Sequence, residues 1–416
     1  MINHFYKNHH KTFIILIAFL LVGSLIVINF PQSVLATDYT ISSPTTWDDA
    51  SDVPGDIGNL TIDAGQTLTV GGGVYDSGGF NITGTGTLTV NGTITVYGEI
   101  SGASGYGITF NFATVTINAS GSINGDGKGF AGGVNGGNTG SGPGGGVSNV
   151  SCSTGGGAGF GGAGGNGLCA TATGGSTYGS STAPVSLGSG GGGGTYGGSS
   201  GGAGGGAIRI SASGTVTISG TLSANGSNGV TDWGGAGSGG SIYISANTVA
   251  GAGTITATGG SGGLYGGGGA GGRIIVRYTT SRTFTDINAT TTGGTGNVSG
   301  SVGTVGYIDT TNKDLYTYTT FSFDPTQGID SNLNDTSDGI FVFRNVTIGN
   351  GTNAATVLSL ITGSSPNGKG PTLSLSGNLT VASSSVFNAN GLGYIGGANG
   401  GNTGSGPGGG VSNVSC

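Results

Sequence analysis

Short runs in which apolar and polar residues alternate recur between residues 59 and 117. In each run every second residue is apolar, β-branched residues are frequent, and Gly or Asn stands at the ends. This pattern predicts short β-strands separated by turns. The runs are 59–62, 67–70, 81–83, 87–90, 93–96 and 114–117. Because strands this short bury little surface alone, we expect them to stack as the coils of a solenoid.

Two longer repeats predict how the coils stack. The phrase GG-x-I-x-I begins at Gly205, Gly239 and Gly271, spaced by 34 and 32 residues. The phrase G-T-[IL] begins at Gly220 and Gly253, 33 residues apart, and a related phrase at Gly121 lies 99 residues before Gly220, which is three such periods. In this register we expect two inward rows and one outward row of side chains. The inward rows are Ile208, Ile242 and Ile274 with Ile210, Ile244 and Val276, and the outward row is Arg209, Tyr243 and Ile275.

A much longer unit is also repeated. Residues 132–152 match residues 396–416 at 20 of 21 positions, at an offset of 264, which is eight periods of 33. We therefore expect a second copy to begin where the chain stops, and the chain to be a fragment of a longer one.

Composition narrows the class. The chain has 100 Gly among 416 residues, 6% charged residues, one Met and one Glu. It lacks the Gly-X-Y period of collagen, and its ordered apolar alternation argues against a disordered low-complexity chain. The scarcity of helix formers argues against an α/β enzyme. The predicted class is all-β, a parallel β-helix with Gly-rich loop insertions preceded by an N-terminal apolar helix.

The chain divides into six predicted regions. Residues 131–206 hold 34 Gly in 76 residues and form either a loop or a glycine bundle packed on the flank of the solenoid. The regions are 1–36, signal peptide or membrane anchor; 37–58, N-terminal cap; 59–130, β-helix coils; 131–206, Gly-rich insertion; 207–395, β-helix coils; and 396–416, the truncated start of a second insertion.

The N-terminus predicts export. Lys7 and Lys11 precede the uncharged apolar run Thr12–Phe30, which is either a cleaved signal or an uncleaved anchor. Both alternatives make the chain secreted or cell-surface, with contact to the membrane only through this segment. Beyond it, eight basic residues face 17 acidic ones, a net charge of −9. This balance argues against nucleic acid or an anionic membrane surface as partner.

Cysteines and histidines limit the chemistry. Cys152 and Cys169 flank a Gly-rich stretch and could pair in an oxidising compartment, and Cys416 is the repeat equivalent of Cys152. All three histidines precede the apolar run, and Glu99 is the one Glu, so we expect no catalysis. An Asp-based polysaccharide hydrolase or lyase stays open as an alternative.

One loop has the spacing of a hard-cation site. Oxygen-bearing side chains alternate over residues 330–338, although the Gly at position six and the terminal Glu of an EF-hand are missing. The candidate ligands are Asp330, Asn332, Asn334, Asp335 and Asp338. We expect calcium there or, alternatively, a solvated turn. No other metal or cofactor is predicted.

The GG-x-I-x-I and G-T-[IL]-x-[AG]-x-G phrases, across about 59–308 and again after 371, resemble the glycine-rich parallel β-helix repeat regions of large bacterial surface and adhesin-like proteins. The resemblance implies a right-handed solenoid, export, and a structural or adhesive role.

The leading hypothesis is thus a non-catalytic exported stalk or adhesin whose partners are cell-surface glycans or other surface proteins. Two alternatives remain. Tyr243, Tyr265 and Tyr278 could stack on sugar rings in a carbohydrate-binding or carbohydrate-active β-helix. Recurrent Thr-x-Thr pairs, such as Thr87/Thr89, could form an ice-binding face.

Overall fold

A computed structural model describes residues 36–72, 79–100, 105–284, 288–318, 321–323, 327–349, 357–360, 371–383 and 385–388. The chain divides into two compact units, Met1–Leu35 and Ala36–Cys416, and every described residue belongs to the second. The predicted N-terminal helix, Cys416 and the predicted insertion over 396–416 lie outside the described residues. The described part of the chain is all-β, without an α-helix, and contains no helix able to cross a membrane.

The described residues form thirty strands. In chain order they are β1 (Thr37–Ile41), β2 (Thr45–Trp47), β3 (Ile57–Ile62), β4 (Thr67–Val70), β5 (Phe80–Thr83), β6 (Thr87–Val90), β7 (Thr93–Val96), β8 (Ile108–Phe112), β9 (Thr114–Ile117), β10 (Ser122–Asn124), β11 (Ser148–Asn149), β12 (Thr154–Gly155), β13 (Ala207–Ala212), β14 (Thr215–Ile218), β15 (Thr221–Ser223), β16 (Ser241–Ala250), β17 (Thr254–Thr256), β18 (Arg273–Arg282), β19 (Ala289–Thr290), β20 (Thr304–Asp309), β21 (Asp314–Thr317), β22 (Phe321–Phe323), β23 (Gly328–Ile329), β24 (Asp335–Thr336), β25 (Ile340–Phe343), β26 (Val346–Ile348), β27 (Val357–Leu360), β28 (Thr372–Leu375), β29 (Leu379–Val381) and β30 (Val386–Asn388).

Most of these strands belong to two parallel sheets. A 14-stranded sheet runs in the order β1-β3-β6-β9-β14-β16-β18-β20-β21-β26-β29, with β5, β8 and β13 joined beside this path. A 7-stranded sheet has the order β19-β17-β15-β10-β7-β4-β2. Among the described strands only β11 with β12, β20 with β21, and β23 with β24 pair antiparallel. The segment predicted as a cap supplies β1 and β2, which are the end strands of the two sheets.

The strands come in successive groups of three that pair with the next group in parallel. Strands β5, β6 and β7 pair with β8, β9 and β10, and these pair with β13, β14 and β15. In β16 the first two strands of a group merge into one strand of ten residues, and β18 repeats this arrangement. The alternation seen in the sequence explains the pairing, because each strand directs its apolar residues to one side and its threonines to the other.

The inward rows lie where the sequence predicts. Ile208, Ile242 and Ile274 pair in register, and the second row pairs two residues further along the same strands. All six side chains are buried in one apolar cluster that also contains Leu60, Phe110 and Tyr307. These rows therefore hold successive strands together from inside.

The outward row corrects the sequence interpretation. Arg209, Tyr243 and Ile275 do stack in register, but only Arg209 is exposed, whereas Tyr243 is 5% and Ile275 0% exposed. A second apolar cluster covers them, formed with the side chains of Ile308, Leu315, Phe321, Phe323, Ile329, Leu333, Phe341, Phe343, Val346 and Ile348. The prediction that this row faces outward was wrong for Tyr243 and Ile275 because residues after 308 return to cover that side of the sheet.

The period count also needs correction. Ser122 pairs directly with Thr221, so the 99 residues between them correspond to one step along the sheet and not to three. The step is long because residues 131–206 leave the two sheets before the chain returns at β13. The spacing in sequence therefore does not count coils wherever a Gly-rich segment intervenes.

These Gly-rich segments form a hydrogen-bonded bundle, the second of the two predicted alternatives. We call segments 129–146, 155–165, 188–194, 199–206, 234–240 and 266–272 the glycine bundle. Segment 234–240 shows its logic, since its N–H groups donate to three different neighbours in rotation. Gly235 and Ser238 donate to Gly192 and Ser189, Ala236 and Gly239 to Gly267 and Ala270, and Gly237 and Gly240 to Ser227 and Ala224, all at 2.7–3.0 Å.

Segment 266–272 repeats this rotation with three further neighbours. A repeat of three residues per turn is that of a polyproline II helix, which leaves its N–H groups free for bonds to other segments. Glycine permits the close approach: a Cβ added to Gly235 would lie 2.0 Å from the carbonyl oxygen of Gly156. Segments 234–240 and 266–272 lead directly into β16 and β18, so the bundle is continuous with the large sheet.

Candidate functional site

Five turns that join segments of the glycine bundle form one surface, which we call the turn face. They are residues 147–153, 166–172, 195–199, 228–233 and 262–266. Each touches the next in a closed ring of contacts. In order around the ring the contacts are the Cys152–Cys169 disulfide, the Ser153 hydroxyl with the Thr195 hydroxyl, Ser199 Oγ with Thr231 Oγ1 at 2.6 Å, the N–H of Tyr265 to the carbonyl of Asp232 at 2.7 Å, and the N–H of Leu168 to the carbonyl of Tyr265 at 2.9 Å.

Every turn of this ring exposes a large hydrophobic side chain. Their exposed fractions are 62% for Val150, 54% for Leu168, 63% for Tyr196, 48% for Val230 and 65% for Leu264. Three of them, Tyr196, Val230 and Leu264, are spaced by 34 residues each, the same step that separates β13 from β16. The repeat that stacks the strands thus also places apolar side chains side by side at the turns. Concentrated exposed apolar surface of this kind marks interaction sites on soluble proteins.

Three aromatic rings lie within this surface. The ring of Trp233 is 4.2 Å from that of Tyr265 and 5.7 Å from that of Tyr196. Trp233 and Tyr265 are half-buried, whereas Tyr196 is largely exposed. Trp233 therefore forms the floor of the group, and the Tyr196 ring presents most of the accessible aromatic surface.

The backbone of the turn face is strained in two places. Ser153 and Thr231 have φ angles of 64° and 58°, in the left-handed region that disfavours side chains and β-branched ones most. Both residues are held by hydroxyl contacts to the neighbouring turn at 195–199. Strain of this kind persists only where surrounding contacts impose it, and it concentrates at functional sites.

The turn face is almost uncharged. Asp232 is its one ionisable carboxylate, and the five turns contain no Lys, Arg or His. The remaining polar groups are hydroxyls and amides, of which those of Ser151, Asn166, Thr171 and Asn228 are exposed. The surface is therefore suited to neutral partners with both apolar and hydroxyl groups.

Of the three tyrosines predicted as sugar-stacking candidates, one belongs to this face. Tyr265 lies in the aromatic group, whereas Tyr243 is buried and Tyr278 is 8% exposed, where burial raises its pKa to about 12. Sequence reasoning missed Tyr196 and Trp233. The 34-residue spacing of Tyr196, Val230 and Leu264 was the signal that could have revealed the surface. The predicted pair Cys152 and Cys169 is joined in the structure, with 6.5 Å between the Cα atoms.

The candidate calcium residues do not converge on one point. Asp330 accepts the backbone N–H groups of Asn332 and Asn334 at 2.7 and 2.9 Å, and these bonds, with that of the Asn334 side chain, lower its pKa. Asp338 accepts the backbone N–H of Ile340 at 2.9 Å, and this bond above all lowers its pKa.

Asp335 points elsewhere. Its carboxylate accepts the hydroxyls of Ser180 and Thr182 at 2.8 and 2.5 Å and lies 3.8 Å from Arg277. The part of the chain that the structure describes contains no group of three or more His, Cys, Asp or Glu residues able to hold a metal. The geometry favours turns stabilised by Asp and Asn, and calcium binding at residues 330–338 stays a prediction.

A separate cleft of about 230 Å³ lies beside β8 and β13. It is lined by Tyr106, Thr109, Val185 and Arg209, among others. Arg209 is the one charged group among its lining residues, and its guanidinium lies 5.2 Å from the ring centre of the buried Tyr243. The cleft provides an internal comparison for the turn face because it also exposes a tyrosine.

Comparisons with protein-family models, with curated proteins and with solved structures found no match to this chain. Its function must therefore be argued from its own residues.

Proposed function

We propose that the chain is a non-catalytic exported surface protein in which a right-handed β-solenoid serves as a stalk and the turn face serves as an adhesive surface. Export rests on the lysines and apolar run before residue 36. The segment itself lies outside the described residues, so this part rests on the sequence alone.

The stacked three-strand groups support the solenoid. Equivalent strands pair in parallel at sequence steps of 28, 34 and 32 residues, as between Phe80 and Ile108, Ala207 and Ser241, and Ser241 and Arg273. Parallel connections of this kind are right-handed in nearly all proteins. Coils about 4.8 Å apart would then build a rigid rod from local contacts alone.

The observation that carries the adhesive role is the ring of five turns, each exposing a large hydrophobic side chain. An exposed apolar surface is unfavourable in water unless a partner covers it. Here the exposed residues are held on a backbone that is cross-linked and hydrogen-bonded, which lowers the entropy lost when a partner binds.

Two measurements test this proposal. The 416-residue chain, expressed with an epitope tag in a bacterial host, should be found in the medium or be labelled on intact cells by a membrane-impermeant reagent. Beads coated with the purified chain should adhere to bacterial or animal cells more than albumin-coated beads do. Retention inside the cell, or adhesion no greater than that of albumin beads, would refute the proposal.

One observation favours ice binding as a second candidate. Thr61, Thr89, Thr116 and Thr217 pair in register on β3, β6, β9 and β14, and all four are half-buried. The Thr-x-Thr pairs, irregular in sequence, therefore form a regular ladder on the 14-stranded sheet. Thermal hysteresis in a solution of the purified chain would support this function, and its absence at millimolar concentration would remove it.

A further inference from the structure

The aromatic group of the turn face has one accessible ring and a fixed support. Tyr196 is 63% exposed and stands 5.7 Å from Trp233, with their ring planes tilted by 59°. Tyr265 packs against Trp233 at 4.2 Å. The exposed Tyr196 ring and the edge of Trp233 therefore offer a surface on which a flat, partly apolar ligand can rest.

This support is held in place by backbone bonds. The carbonyl of Trp233 accepts the N–H of Gly155 at 2.9 Å, inside the glycine bundle. The N–H of Tyr265 donates to the carbonyl of Asp232, and the Thr231 hydroxyl contacts Ser199 beside Tyr196. Three separate turns thus converge on the aromatic group, and a ligand would not have to order them.

Charge and polarity select the class of ligand. Phosphate, sulfate and carboxylate groups require cations or clustered donors, and the five turns contain no Lys or Arg. A hexose ring, in contrast, has a C–H face that packs on an aromatic ring and hydroxyls that bond to neutral side chains. The hydroxyls and amides of Ser151, Thr171, Thr231 and Asn228 lie exposed on the turns around the rings.

We propose that the turn face is a binding site for neutral glycans, in which a sugar ring stacks on Tyr196 with Trp233 beneath it. This inference rests on the adhesive role proposed above and specifies its ligand. It assigns the main contact to Tyr196, the supporting role to Trp233 and Tyr265, and hydrogen bonding to the hydroxyls and amides of the neighbouring turns.

The test is a glycan array probed with the complete 416-residue chain, followed by calorimetric titration of the best neutral and acidic oligosaccharides. We expect neutral glycans to bind and acidic ones not to bind. Tyr196→Ala should weaken binding by about thirtyfold, as for aromatic anchors in other interfaces, whereas Tyr196→Phe should retain most of the affinity because the ring remains. Tyr106→Ala is the matched control, since Tyr106 is an exposed tyrosine of the separate cleft.

Every outcome decides the proposal. Binding of neutral glycans that Tyr196→Ala weakens and Tyr106→Ala does not would support it. Binding unaffected by Tyr196→Ala, binding lost only in Tyr106→Ala, or a preference for acidic glycans would overturn it. If beads coated with the chain adhere to cells but no glycan binds, the partner is a protein, and the ligand assignment fails while the adhesive function stands. If the beads do not adhere at all, the proposed function itself fails.

Discussion

The backbone N–H of Gly235 donates a 2.9 Å hydrogen bond to the carbonyl oxygen of Gly192, which lies 43 residues earlier in the chain. The bond joins two segments of the glycine bundle, and each of the two residues also contacts Gly156. Such contacts need segments that approach without side chains, which explains why so many bundle residues are Gly. The turn face depends on them, because its turns connect these segments.

Gly235→Ala should destabilise the chain by roughly 1–3 kcal/mol or more, as overpacking does in well-packed cores. The reason is that the new Cβ would come 2.0 Å from the carbonyl oxygen of Gly156. Thermal unfolding followed by circular dichroism measures the change. Gly55→Ala is the control, since nothing lies within 4 Å of a Cβ built there. Equal stability of the two variants would contradict the close packing of the bundle.

Ile244→Ala should lower the free energy of unfolding by about 2–5 kcal/mol. Ile244 is fully buried and pairs in register with Ile210 and Val276, so the cavity would interrupt an inward row. Denaturant unfolding gives the difference. Thr254→Ala, on the exposed side of β17, should change stability by no more than about 0.5 kcal/mol. A small effect at Ile244 would show that the row is not part of the core.

Reducing the Cys152–Cys169 disulfide should cost about 3 kcal/mol, the loop-closure value for a bridge between residues 17 apart. It should also make residues 147–172 more susceptible to proteases, because two turns of the turn face lose their covalent link. Limited proteolysis with and without dithiothreitol, read by mass spectrometry, detects this change. The double variant Cys152→Ser/Cys169→Ser should already be susceptible and should not respond to dithiothreitol. Equal protection of the oxidised and reduced chains would argue against a structural role for the bridge.

The buried carboxylate of Asp314 should make stability depend on pH. Burial by itself would raise its pKa, but the bidentate bonds from Arg344 and the bonds from Asn345 outweigh burial and hold the pKa below its ordinary value of 3.8. Because the folded-state pKa is lowered, this contribution is complete above the unfolded-state pKa and is lost as pH falls through the folded-state pKa.

Asp314→Asn should therefore be less stable than the unchanged chain at pH 7, and the difference should shrink as pH falls below about 4. Urea unfolding at several pH values between 2 and 7 measures it. Lys313→Gln is the control, since it removes a charge beside Asp314 and leaves the Arg344 pair in place. A difference that stays constant over this range would show that the ion pair does not stabilise the fold.

Alternation of apolar and polar residues was enough to locate many strands. The runs at 67–70, 87–90, 93–96 and 114–117 are β4, β6, β7 and β9 with the predicted bounds, and the rows through Ile208 and Ile210 pair as expected. Such features are local or repeat at a constant step, and strand residues two apart always share a face, so the sequence alone reveals them.

Contacts between distant residues decided the rest. Tyr243 and Ile275 occupy positions that alternation assigns to solvent, yet side chains such as Phe321 and Phe341 cover them. The glycine bundle has no side-chain pattern to read, since its order lies in backbone bonds between segments far apart in the chain. The candidate site follows the same division: the sequence by itself determined that Tyr196, Val230 and Leu264 recur at one step, but only tertiary structure decided that their turns meet those of Cys152 and Cys169 around Trp233. The physical reason is that a repeat specifies its neighbours in the stack, whereas a surface assembled from separate segments depends on where each segment returns.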